Sequence, residues 1–217
     1  MEQIVGWAEF AGLRINVEPG VFVPRRRTEL LVEQAVALAG PSPVVVDLCC
    51  GSGAIGAALA ARLPELVLFA ADLDPACVHC ARRNLPGVPV FEGDLYAALP
   101  AELRGRVDLL VANAPYVPTD AIVFMPPEAR DHEPALALDG GPDGLDLHRR
   151  IAAGAPDWLA PAGHLLIETS ERQAPQTLAG FAAAGLDARI VASDDLDATV
   201  VIGTSRVRLS SSAPPLQ

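Results

Sequence analysis

The sequence contains no apolar run long enough to cross a bilayer; Val44 to Leu48 and Val107 to Val111 are short, and Asp47 and Asp108 interrupt them. It also has no basic segment followed by a long apolar stretch within Met1 to Phe10, where Glu2 and Glu9 stand instead. A cytoplasmic chain without membrane attachment is expected.

Cysteine is scarce. The four residues fall as Cys49-Cys50 and Cys77/Cys80, which is not the spacing of a secreted disulfide framework, so a reducing compartment is expected. Cys77 and Cys80 form a CxxC pair, but no second pair completes a tetrahedral zinc site, and a structural role is expected. His132, His148 and His164 are dispersed, and no metal is expected.

Positive charge is also in deficit, with 16 basic against 27 acidic residues and a net charge of −11. Such a surface repels polyanions, and stable nucleic-acid binding is not expected. The exceptions are Arg25-Arg26-Arg27 and Arg149-Arg150. They read as solvated faces, with an anionic cofactor edge or an acidic protein partner as the functional alternative.

What is present suits one folded domain. At 217 residues, 51% hydrophobic and 20% charged, the chain can bury a substantial core and is not wholly disordered. No internal repeat is evident. Residues 13 to 23 alternate loosely around Pro19-Gly20, which predicts a short hairpin. Thr28 is placed to cap a helix from Glu29 to about Ala39.

A strand and helix rhythm follows. Strands are predicted at Val44 to Leu48, Leu66 to Ala71, Val88 to Phe91, Val107 to Ala112 and His164 to Ile167, with helices at Ala54 to Arg62, Pro75 to Asn84, within Asp143 to Trp158, and over Arg172 to Ala184. Ala188 to Val191 and Thr199 to Leu209 are separated by an acidic turn too short for a helical crossover, so they are expected to be antiparallel. The implied fold is α/β, a mostly parallel sheet with helices on both faces and a C-terminal antiparallel hairpin. The expected organisation is an N-terminal segment with a hairpin (1–27), a catalytic domain (28–209) and a flexible tail (210–217).

Val44 to Gly56 carries the cofactor signal. A buried strand runs into a tight turn at Gly51 and Gly53, where missing side chains let a ligand approach the backbone, and the helix from Ala54 adds a positive dipole end. Asp72, ending the next strand, is placed to accept ribose hydroxyls. Gly51, Gly53 and Gly56 also satisfy GxGxxG, so a nicotinamide or flavin site stays open beside S-adenosylmethionine. Asp94 in GDLY suits the adenosine end of a cofactor, with Leu95 as an apolar wall. Asp47 either bonds the adjacent loop or approaches a methionine amino group. Cys50 is expected to pack the loop, since no base is positioned to make it a nucleophile.

The strand at Val107 ends in Asn113-Ala114-Pro115-Tyr116. An amide or aromatic amine nitrogen is a poor nucleophile because its lone pair is delocalised. The Asn113 side-chain carbonyl and the Ala114 backbone carbonyl can grip such an NH2 group and aim it at a methyl donor, while Pro115 stiffens the turn and Tyr116 supplies a flat ring. Glu168 and Glu171 are read either as ordering this pocket or as ordinary caps, and Trp7 and Trp158 as packing residues.

The order of FVPRRRTEL, DLCCGSGAIG, ADLDPACVHCARRN, GDLY, VANAPYVP, HEPALALDGGPDGLDLHRRI and LIETSERQ resembles the HemK/PrmC family, the release-factor glutamine N5-methyltransferases, over about residues 6 to 208. That resemblance implies a class I, Rossmann-like fold and S-adenosyl-L-methionine as cofactor, with S-adenosyl-L-homocysteine as product. The acceptor it implies is the glutamine of a Gly-Gly-Gln loop in a peptide chain release factor, or another glutamine-bearing protein. It places cofactor contacts on Cys49, Cys50, Gly51, Ser52, Gly53, Asp72, Asp94 and Leu95, and substrate contacts on Asn113, Ala114, Pro115 and Tyr116. The pocket would be closed partly by Glu133-Pro134 and Gly140 to Asp146.

Three departures stand out. Ala114 replaces the first proline of the usual Asn-Pro-Pro-Tyr, Cys49 replaces a loop glycine, and Arg26 and Arg27 alter a Pro-Arg-Pro-Glu-Thr-Glu segment. Family members commonly carry a helical domain ahead of the catalytic one; here few residues precede the match, so a truncated start or a different mode of substrate recognition is expected. The competing readings are an adenine N6 or small-molecule N-methyltransferase, and a noncatalytic S-adenosylmethionine-binding protein.

Overall fold

The computed structural model describes residues 2–125 and 133–206. His132, the end of the expected last strand and the expected tail from Ser210 to Gln217 lie outside the described residues.

A helical turn α1 (Glu2–Val5) leads into a hairpin of β1 (Trp7–Phe10) and β2 (Leu13–Asn16). The hairpin lies earlier than the alternation over residues 13 to 23 predicts. Its two-residue connection is Ala11-Gly12, with φ of 51° and 78°, the primed geometry that matches strand twist. Pro19-Gly20 does form a turn, closed by Val21 N–H donating to the Glu18 carbonyl at 3.1 Å, but no strand pair flanks it.

The chain then builds the main sheet. β3 (Val44–Leu48) pairs in parallel with β4 (Val67–Asp72) and β6 (Val107–Ala112); β5 (Val90–Glu92) and β7 (Leu159–Thr169) extend it on either side. β8 (Asp187–Ser193) and β9 (Ala198–Thr204) complete the order β5-β4-β3-β6-β7-β9-β8, with β9 antiparallel to both neighbours. The terminal strands therefore pair antiparallel, as their short acidic connection requires.

Helices α2 (Glu29–Leu38), α3 (Ala54–Arg62), α4 (Pro75–Asn84), α5 (Asp146–Trp158) and α6 (Ala174–Ala183) sheathe this sheet. Leu31 and Leu59 belong to one apolar cluster with Val45, Leu109 and Leu166. Ile151, Trp158 and Phe181 belong to a second with Val46, Leu110 and Ile167. The alternation along β3 thus feeds two cores, which is why nearly all of it is apolar. At nine residues α3 is too short to hold alone, so burial of Leu59, contributing about 1.5–3 kcal/mol, matters more than propensity.

Thr28 is not a side-chain cap of α2. A 3-10 turn over Arg26–Thr28 precedes the helix, Thr28 already has helical φ and ψ, and its side chain is turned to other partners. Among the described residues, no helix is long and apolar enough to cross a membrane.

From β3 the chain winds outward through β4 and β5, then returns to β6 on the other side. Open α/β sheets form a crevice at such a reversal. Here it opens between the carboxyl ends of β3 and β6, so Cys49–Gly53 and Asn113–Tyr116 meet.

Candidate active site

A cleft of about 340 Å³ opens there, within the size range of small-molecule pockets. It is lined by Cys49, Cys50, Gly51, Ser52, Asp72, Asp94 and Leu95 on one side, and by Asn113, Ala114, Pro115, Tyr116, Glu133 and Pro134 on the other. Residues predicted from two distant stretches of sequence thus share one cavity.

The β3–α3 loop owes its shape to backbone signs and buried acceptors. Cys49, Gly51 and Gly53 all have positive φ, at 55°, 55° and 77°, and Cys49 holds that conformation despite its side chain. Asp72 Oδ2 accepts from Gly51 N–H at 2.8 Å, while its Oδ1 accepts from Asp74 N–H at 2.9 Å. Asn84, at the end of α4, donates to the Ser52 carbonyl at 2.8 Å and ties the loop to Asn16 of the hairpin. A Cβ at Gly53 would stand 2.9 Å from Leu85 Cδ1, so this glycine meets both a conformational and a packing demand.

Two expected cofactor contacts lie outside the cavity wall. Asp47 is fully buried on the α3 side of the sheet, and its Oδ2 accepts from Gly56 N–H at 3.0 Å. It organises the loop from behind and does not reach the cleft. Burial pushes its carboxyl up to about 7, against the lowering effect of that N–H. Gly53 likewise starts α3 and does not line the cavity.

The cysteines are thiols. Burial, with Asp72 and Asp47 nearby, pushes Cys49 and Cys50 well up, which removes the thiolate that nucleophilic chemistry needs. Cys77 and Cys80 are buried beside Val21, and Cys80 donates to the Asn16 carbonyl.

Asp94 lines the cleft and pairs with Arg150 of α5 at 2.6 Å. The basic runs are solvated faces that also carry partners: Arg25 bonds Glu133 at 2.5 Å, Arg27 bonds Glu168 at 3.3 Å, and Arg149 pairs with Asp143 and Asp146. Arg26, Arg27, Arg149 and Arg150 are all exposed.

At the end of β6, Asn113 Nδ2 donates to Thr28 Oγ1 at 3.2 Å. Tyr116 donates its hydroxyl to Glu168 Oε1 at 3.3 Å, the same oxygen that takes Arg27 Nε–H. Glu168 is 1% exposed; burial raises its proton affinity, and Thr28, Arg27 and Tyr116 pull it back down. Behind this row, Gln173 Nε2 donates to the carbonyls of Tyr116 at 2.9 Å and Asp143 at 3.0 Å.

Gly140 to Asp146 buttresses the tetrad from outside the cavity, apart from the pocket wall it was expected to form. A Cβ on Gly144 would sit 2.3 Å from the Tyr116 carbonyl oxygen, so the loop can press against that backbone only as glycine. Gln173 and Asn84 are site residues that sequence reasoning did not single out, while Thr28 was read as a helix cap and Arg27 as part of a basic run. Among the described residues, no group of three or more His, Cys, Asp or Glu side chains could hold a metal.

The family model described as "Methyltransferase small domain" matches residues 12–126. A release factor glutamine methyltransferase from Geobacter sulfurreducens is 38% identical over 207 residues, covering 94% of this chain and 72% of that enzyme. The chain belongs to the release factor glutamine methyltransferase family. Similarity within this methyltransferase family extends to a 4-amino-L-phenylalanine/4-methylamino-L-phenylalanine methyltransferase from Streptomyces pristinaespiralis, 39% identical over 85% of this chain and 65% of that enzyme. In fold, a crystal structure of a methyltransferase from Pyrococcus furiosus covers 90% of each chain with a TM-score of 0.68 at 16% identity. The α/β methyltransferase fold and the family are thereby established.

Proposed function

We propose that this protein transfers the methyl group of S-adenosyl-L-methionine to the side-chain amide nitrogen of a protein glutamine, that of a peptide chain release factor. Family membership together with the placement of Asn113 at the carboxyl end of β6, beside the glycine loop, carries this reading.

The residues present fit that cofactor. Asp72 keeps lone pairs beyond its two backbone donors for ribose hydroxyls, and Leu73 and Leu95 offer apolar walls to a base. The Gly51 turn leaves open space where a side chain would stand. When bound, S-adenosylmethionine supplies an electrophilic sulfonium methyl and leaves as S-adenosylhomocysteine. These features support a class I, Rossmann-like assignment; we place the catalytic domain over 28–209 behind the N-terminal hairpin segment, in a cytoplasmic setting.

On the acceptor side, the Asn113 side-chain carbonyl and the Ala114 backbone carbonyl take the two N–H groups of the acceptor amide. They orient its nitrogen and stabilise positive charge that develops there. Tyr116 packs against the amide plane, and the ion pair of Arg25 with Glu133 borders the cleft. No strong base is needed before transfer, since the methylated amide sheds its proton readily. Replacing proline with Ala114 preserves the carbonyl that this scheme uses.

A second reading has its own support. The Streptomyces relative is named for methylating 4-amino-L-phenylalanine, whose NH2 is likewise attached to a conjugated carbon. Purified release factor and free 4-amino-L-phenylalanine incubated in parallel with labelled cofactor separate the two. A single methyl mapped to the glutamine of Gly-Gly-Gln, lost in Asn113→Ala, supports the first; label on the amino acid alone moves the acceptor to the second.

A further inference from the structure

We propose that Thr28 and Glu168 are positioning residues that decide which end of the Asn113 amide faces the acceptor. This inference rests on the reading that Asn113 grips an NH2 group. An asparagine amide presents a carbonyl at one end and an NH2 at the other in nearly the same shape. A site that must accept from an NH2 has to specify the rotamer through partners, because the wrong flip sets donor against donor.

Thr28 supplies the partner. Its Oγ1 accepts from Asn113 Nδ2 at 3.2 Å, which leaves Asn113 Oδ1 for the acceptor. A hydroxyl can equally donate, and donation to Asn113 Oδ1 would hold the amide the other way round. What removes that option is a stronger claim on the Thr28 proton.

Glu168 makes that claim. It sits at the carboxyl end of β7, 1% exposed, with Oε1 taken by Tyr116 and Arg27. Its Oε2 is buried with no hydrogen-bond partner among the described residues. A carboxylate oxygen left bare in the interior is costly, and Thr28 is the neighbouring hydroxyl whose hydrogen bonding lowers the proton affinity of Glu168. An ionised carboxylate only accepts. Each proton then has one direction, from Asn113 to Thr28 to Glu168, and the carbonyl is left facing the cleft. Glutamine at 168 would break the order, since its NH2 can donate to Thr28 and release the hydroxyl to flip Asn113.

Two measurements on the full chain test this. The side-chain amide signals of Asn113, assigned by their loss in Asn113→Ala, are followed by nitrogen-15 spectroscopy, which needs no acceptor. Slow solvent exchange in the wild type and faster exchange in Thr28→Val are expected. Initial rates on release factor should fall about a hundredfold in Thr28→Val and Glu168→Gln, with cofactor affinity and thermal unfolding held, and Thr28→Ser should recover to within about threefold. Should Glu168→Gln fail to fold, the isosteric Thr28→Val decides. Unchanged Asn113 exchange or wild-type turnover in folded Thr28→Val overturns the proposal. Absence of transfer by the wild type would instead count against the acceptor reading, and the exchange measurement would still decide this inference.

Discussion

The Gln173 side chain bridges two backbone carbonyls, those of Tyr116 and Asp143, with one amide nitrogen. It clamps the end of β6 to the glycine-rich loop ahead of α5. Gln173→Ala leaves both carbonyls without this donor, with a cost of about 1–3 kcal/mol where they stay buried. Denaturant unfolding should show that loss, and turnover should fall further than cofactor affinity, which calorimetry reads separately.

Asp72 performs two duties with one carboxylate, holding Gly51 and Asp74 while facing the cleft. Asp72→Asn keeps the shape but turns one acceptor into a donor that meets a backbone N–H. Cofactor affinity should weaken by about tenfold or more, as the loss of a charge-assisted bond requires. Unaltered binding in a titration would show that the carboxylate only shapes the loop.

Gly144 combines φ of +78° with the close approach of the Tyr116 carbonyl. Gly144→Ala should destabilise the fold by more than about 2 kcal/mol, from strain and from forced displacement of Tyr116. Gly180→Ala, in α6 where a Cβ meets nothing within 4 Å, is the matched control and should be neutral or stabilising.

Asp47 has a folded-state pKa near 7, above its ordinary value of 3.8. The folded protein therefore binds the proton that the unfolded chain has released, and the contribution to stability is fully present below pH 4 and lost as pH rises through 7. Asp47→Asn keeps an acceptor for Gly56 N–H and removes the titration. Its melting temperature relative to the wild type should rise between pH 5 and pH 8; a constant difference across that window would refute the assignment.

Local signals in the sequence placed β3, the turn at Gly51 and Gly53, and α3, because a buried strand, a glycine turn and a small-residue helix each leave a short-range pattern. Pro75 also marked the start of α4, where Asp74 caps by accepting from Ala76 N–H. The clamps left no such trace. Thr28 meets Asn113 across 85 positions and Arg27 meets Glu168 across 141, and no periodicity encodes pairs that only the folded sheet brings together. The misplaced hairpin has a local cause: Ala11-Gly12 adopts a primed turn without the asparagine or aspartate that usually announces one.

β9 is inserted between β7 and β8, so the strand synthesised after β8 lies inside the sheet and β8 lies at its edge. On the ribosome, β8 has no place to dock until residues 198–204 have emerged. The two must enter together as a hairpin, and until then β7 presents an open flank to other nascent chains. Premature termination between residue 169 and residue 198 should therefore leave an aggregation-prone fragment rather than a smaller working enzyme.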